Sequence, residues 1–371
     1  MRTAPGVVLF CLVSLCSAIG QPLRLQGSKI VFPTGQVIGA ALSESLIFVQ
    51  ESVFHPDGPI IHVSRRVLAW NLTTNSVMKE KTLGTGDSVL VGNDCATVEA
   101  IDAGRHIMVC ENYETLVILD GQTLDPVSRV HCDGRIYDFA VDESSKRVLL
   151  ASSSGSQIQY LTVFDVASGK KLSETKISSG AVDQELVVVD SRTKRVAVAQ
   201  SHLDHSGYKT KVYGCEYTSA LTCSQVAALG QVSQISIWGT DVFLASGLYA
   251  DDRRVCLTSV NLNTHAVGHQ YCSQTGVHYG VAVIDGKYVI AFTGVAKNLA
   301  WKEIVKPVSN SVAVWRYENG TVAAQAVQDG GDAHFQPGAR IASSKSSPRF
   351  LLYGQTSNVA YVYSINEAPA R

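Results

Sequence analysis

One local pattern recurs along the whole chain: a short alternating apolar run, a polar tight turn, then a second strand leading away. It stands as VLAWNLTTNSV from Val67, LVILDGQTLDPV from Leu116, LTVFDVASGKKL from Leu161 and KVYGCEYTSALTC from Lys211. It returns as LTSVNLNTHAV from Leu257, VAVWRYENGTV from Val312 and AYVYSINEA from Ala360. The residues entering these turns are Asn71, Asp120, Asp165, Glu216, Asn261, Arg316 and Ser364, spaced 49, 45, 51, 45, 55 and 48 apart. Alternation at period two marks strands, and recurrence at this length marks stacked supersecondary units. A second hairpin precedes the first within the period, as in ATVEAIDAGRHIMVC from Ala96, IYDFAVDESSKRVLLAS from Ile136 and GVAVIDGKYVIAF from Gly280. No amphipathic helical stretch interrupts the strands. The pattern predicts an all-β chain, a seven-bladed β-propeller with four antiparallel strands per blade. Only three strands follow Ala339. The extended segment 23–32 is therefore expected to complete the last blade and join the chain ends in one sheet.

Units such as LTVFDVASGKKL and VILDGQTLDPV (from Val117) resemble the repeats of bacterial YVTN/WD40-like β-propeller proteins. The resemblance spans the mature chain and is architectural. Trp70 is followed by Asn71 and Trp315 by Arg316, so the closing Trp-Asp pair of WD40 blades does not recur. It implies the fold and leaves the activity open, because such folds host binders, lactonases and quinoprotein enzymes alike.

Arg2, an apolar run over 7–15 and the small residues Ser17, Ala18 and Gly20 read as a secretory signal peptide. Cleavage after Gly20 would leave residues 21–371 as a single propeller domain, secreted or periplasmic, with no membrane insertion. Charge is sparse and balanced: 17% of residues, 31 Lys+Arg against 32 Asp+Glu. That balance argues against nucleic acid as a partner. A monomer is expected.

An exported chain permits disulfides. Cys95 and Cys110, Cys215 and Cys223, and Cys256 and Cys272 each flank a proposed hairpin turn, where cross-strand neighbours lie within bonding reach. Cys132 is left over, either as a free thiol or as a competitor for the first pair.

In a propeller the loops joining strands two and three, and those joining successive blades, emerge on one face around the channel mouth. Long loops there belong to blades 1, 4 and 6, contributing His55, Asp57 and His62, then His202, Asp204 and His205, then Trp301. Tyr279 and Arg340 join that candidate ligand-binding face. Asp138, Asp183, His278 and His334 on blade-to-blade connections are the candidates for an enzymatic pocket. His202, Asp204 and His205, or Asp251 and Asp252, could hold a divalent metal, since His and carboxylate mixtures suit such ions. No cofactor is otherwise predicted, and no nucleophile motif or phosphate loop is present. Asn71 and Asn319 begin N-glycosylation triplets. The residues thus predict a binding module for a protein, peptide or saccharide, acting through the long-loop face. A lactonase-like or other metal-assisted hydrolase, with its site at the central channel, is the alternative.

Overall fold

A computed structural model describes residues 23–33, 35–55, 62–86, 95–155, 157–205, 207–218, 220–246, 255–273, 277–296, 307–318, 321–329, 339–354 and 357–367. The strands form seven separate sheets of four. Blade 1 is Gln36–Leu42, Leu46–His55, His62–Asn71 and Ser76–Gly86; blade 2 is Val98–Ile101, His106–Cys110, Thr115–Asp120 and Pro126–His131. Blade 3 is Arg135–Asp142, Arg147–Ser153, Ile158–Asp165 and Lys171–Ser179; blade 4 is Gln184–Asp190, Arg195–Asp204, Gly207–Glu216 and Thr222–Leu229. Blade 5 is Val232–Trp238, Asp241–Ser246, Val255–Asn261 and Val267–Ser273; blade 6 is Val277–Ile284, Tyr288–Ala296, Pro307–Glu318 and Thr321–Asp329. Blade 7 takes Ala339–Ser343, Arg349–Gly354 and Val359–Glu367 from the C-terminal end and its outermost strand, Leu23–Val31, from the N-terminal end. Leu23 pairs with Glu367 and Val31 with Val359, so the ring closes inside one sheet. This is the seven-bladed propeller that the repeat predicts.

The recurring turn residues have a shared physical task. Asn71 Oδ1 accepts the backbone N–H groups of Thr73 and Thr74 at 2.8 and 3.0 Å. Asp120, Asp165 and Asn261 bind their own turns in the same way. Asp142 and Asp190 do so on the inner hairpins, accepting from Ser144 and Arg192. A short side chain that replaces a backbone acceptor is what makes Asn and Asp favoured at such corners. The turn also accounts for Asn71 without reference to a glycan; Asn319 lies outside the described residues.

Apolar residues collect in seven clusters, one at each seam between neighbouring blades. At the closing seam, between blades 7 and 1, Phe32 meets Trp70 edge to face with centroids 5.5 Å apart. Each blade is covered on both faces, so its inner strands read as nearly continuous apolar runs. Packing at the seams is tight enough to dictate glycine. A Cβ on Gly39 would lie 1.5 Å from the carbonyl oxygen of Ala96. Gly39→Ala should therefore cost about 3 kcal/mol or more by forcing blades 1 and 2 apart. A denaturant melt within experimental error of the parent would contradict that contact.

Cys95–Cys110 and Cys215–Cys223 are bonded, and Cys132 is a buried free thiol. Cys215 and Cys223 are direct cross-strand partners. Backbone register sets Cys256 opposite the Tyr271–Cys272 step, between the pairs Val255–Ser273 and Leu257–Gln270. The side chains of Cys256 and Cys272 lie outside the description. No helix among the described residues is long and apolar enough to cross a membrane.

Candidate functional site

The innermost strand of each sheet has one free edge, and seven such edges surround a central cavity of about 690 Å³. Unpaired backbone groups at a sheet edge need partners. Here polar side chains from the inner strands of other blades supply them. Asp138 of blade 3 accepts the Val187 N–H of blade 4 at 2.7 Å and takes the Thr97 hydroxyl of blade 2 on its other oxygen. Gln234 of blade 5 donates to the Ile341 carbonyl of blade 7 at 2.7 Å. Its Oε1 accepts the N–H groups of Ile341 and Val281 at 3.0 and 3.3 Å. Ser236 likewise accepts Val283 N–H at 3.0 Å. These staples fasten the ring from within.

A β-bulge aims them. Inner strands shift register between Val37 and Gly39, Ile136 and Asp138, Val232 and Gln234, and His278 and Gly280. The extra residue turns the next position toward the channel. Where blade 3 has Asp138 and blade 5 has Gln234, blades 1 and 6 have glycine. A Cβ on Gly280 would approach Gln234 Oε1 to 3.2 Å, so that glycine leaves room for the staple.

Burial perturbs the carboxylates. Desolvation pushes Asp138 up to about 6, against the opposing pull of its Thr97 and Val187 hydrogen bonds and the charge of Arg340. Glu185, facing the seam between blades 3 and 4, is pushed up to about 8, again chiefly by desolvation and further by Asp138. Gln200 donates to one oxygen of Glu185, and the other has no hydrogen-bond partner. At the far end of the cavity Lys345 of blade 7 reaches Glu143 of blade 3 at 2.8 Å and Glu99 of blade 2 at 3.0 Å. That ion cluster crosses the channel between blades that are not neighbours.

The face carrying the inter-blade connections has a different chemistry. The Arg135 guanidinium lies 5.3 Å from the Tyr113 ring centroid and 5.4 Å from that of Tyr137, and Arg65 lies 5.9 Å from Tyr113. Tyr113 is held by its carbonyl, which accepts Ile136 N–H at 2.6 Å, and the residue is 39% exposed. Blades 1, 2 and 3 thus contribute to one arginine–tyrosine patch.

The residues singled out from the sequence fall into four groups. Asp138 and Arg340 line the cavity. Asp183 accepts Leu203 N–H at 2.6 Å and donates its own N–H to Ser201, extending the ladder of blade 4; His202 is half-buried and His205 exposed beside it. His55, His62, Asp204, His278 and Tyr279 stand on strands, with their side chains outside the description. Asp57, Asp251, Asp252, Trp301 and His334 lie outside the described residues altogether. Among the described residues no three His, Cys, Asp or Glu side chains converge as metal ligands would. Sequence reasoning passed over Thr97, Glu185, Gln234 and Lys345. Gln234 alone carried a usable signal, since it occupies in blade 5 the repeat position that Asp138 occupies in blade 3.

The β-propeller domain of Myceliophteria thermophila Cps50 (Swd1) is similar in structure, with a TM-score of 0.57 and 12% identity over 93% of this chain and 100% of that one. The likeness is one of fold. No protein-family model matches the sequence, and no curated protein matches it either.

Proposed function

We propose that this chain is an exported propeller of the YVTN/WD40-like kind that binds a protein partner through the face bearing its inter-blade connections. The observation that carries this reading is the arginine–tyrosine patch of Arg65, Tyr113, Arg135 and Tyr137. Arginine and tyrosine are the residue types most enriched where protein interfaces concentrate their binding energy. Stacking pre-orders the long arginine side chains, which lowers the entropy lost on docking. The patch draws on three successive blades at the face of the inter-blade connections.

The test is substitution of Tyr113 and Arg135 by Ala together. The double variant should melt within about 3 °C of the parent, because the patch sits at the surface. Chemical cross-linking in an exported-protein extract should recover a defined partner with the parent, and titration of that purified partner should be weakened about tenfold or more by the double variant. Equal titration curves for the two proteins would overturn the reading.

The perturbed acidity of Asp138 favours a second reading, a hydrolase using the channel, in which a carboxylate poised near neutrality acts as an acid or base. Stoichiometric metal in the purified protein, with a melting temperature lowered by EDTA, would favour that version.

A further inference from the structure

The outer edges of the seven blades are not alike. An exposed edge strand is a template for pairing, and a bulge that breaks its regularity is one way of blunting it. In blades 1, 2, 3, 4 and 6 one or two residues of the outer strand drop out of register with its neighbour: Met78 and Leu83, Val127, Leu172 and Ile177, Val226, and Ala323. In blade 5 the outer pair shifts between Val255 and Leu257. Blade 7 has no such shift. Leu23–Val31 pairs with Val359–Glu367 residue for residue over nine positions.

That strand presents a long, regular and exposed edge. Arg24, Gln26, Gly27, Ser28, Lys29 and Val31 are exposed, while Leu23 and Ile30 anchor it to the core. Gly27 lies against the Tyr363 ring, where a Cβ would come within 2.6 Å of Cε1. Tyr363 is itself stacked on Phe350 at 5.0 Å, which supports the middle of the strand from beneath. Glycine at such a place permits a further backbone to approach closely.

Charge selects the occupant. Arg24 and Lys29 are the only charged residues of the strand, and both are positive and exposed. Glu367, opposite its first residue, is held by Lys287 at 2.6 Å. A second copy of the same strand would bring like charges together, whereas an acidic extended segment would complement them. We propose that the free edge of Leu23–Val31 is a strand-addition site, taking an acidic extended segment of a partner protein as a fifth strand of blade 7. Main-chain hydrogen bonds supply affinity in this mode, and the side chains set the choice of partner.

The test uses the full mature chain and three synthetic nine-residue peptides: alternating Glu and Val, alternating Lys and Val, and alternating Glu and Pro. The Glu-Val peptide should bind saturably and slow amide exchange over Leu23–Val31. The Arg24→Glu, Lys29→Glu double variant, altered only at exposed positions, should weaken that binding about tenfold or more. The Lys-Val peptide should bind the parent more weakly than Glu-Val. The Glu-Pro peptide carries the same charge pattern but cannot pair as a strand, so its binding as well as Glu-Val would reduce the site to charge attraction and overturn the proposal. Absence of Glu-Val binding, or binding indifferent to the double variant, would overturn it too. So would a concentration-dependent dimer that protects this strand, since the occupant would then be a second copy.

Discussion

Replacing Glu185 by Gln should raise stability in mildly alkaline solution and flatten its dependence on pH. In the folded chain burial holds this carboxyl in its neutral form until about pH 8, whereas its ordinary value is 4.5. Between those values the native state keeps a proton that the unfolded chain has released. Stability therefore falls as pH climbs through that window. Asp138 acts in the same sense, its charge opposing a second one, while the Gln200 amide donates to the carboxylate and pulls the other way without overcoming burial; Tyr213 beside them is neutral. Glutamine keeps the shape and removes the ionisation. The gain above pH 8 should be of the order of several kcal/mol, read as denaturant midpoints for the two proteins across the range. Parallel curves for parent and variant would show that Glu185 does not carry this dependence. Asp138 adds a smaller decline of the same sign between its ordinary 3.8 and about 6.

Removing residues 23–31 should be at least as damaging. The deletion strips nine paired positions from blade 7 and takes Leu23 and Ile30 out of two separate seam clusters. It also leaves Val359–Glu367 as an open edge and the two chain ends unjoined. Burial of two large aliphatic side chains alone is worth about 1.5–3 kcal/mol each, and the loss of ring closure comes on top. Such a variant should melt far below the parent or aggregate. The double substitution Leu23→Asp, Ile30→Asp, which keeps the chain length, should lower the melting temperature by about 10 °C or more. A shift of only a degree or two would mean that the N-terminal strand is an accessory rather than the closure.

Much of this architecture was legible in the sequence because its causes are local. Asn71, Asp120, Asp165 and Asn261 mark the blades because each binds the backbone two or three residues ahead, a reach that sequence spacing captures. Glu216, Arg316 and Ser364 hold the same repeat position without that side chain, and only the surrounding alternation placed them. The closing strand was legible for a different reason: the last repeat was one strand short and residues 23–32 had no other partner.

The interior was not legible, because its contacts are distant along the chain. Gln234 and Ile341 stand 107 residues apart, and Asp138 meets Val187 across 49. Asp138 stood out in the sequence as a titratable residue near the channel. The structure shows it fastening one blade to the next, with its acidity set by burial. Lys345 reads in sequence as an ordinary loop lysine, yet it bridges Glu99 and Glu143 across the channel. The arginine–tyrosine patch likewise draws on three blades. Period and turn chemistry by themselves determined the number of blades, their strands and the closure, since each rests on neighbours in the chain. Ring geometry alone decided which polar side chains meet, because a seven-fold ring converts sequence separations of fifty to three hundred residues into contact.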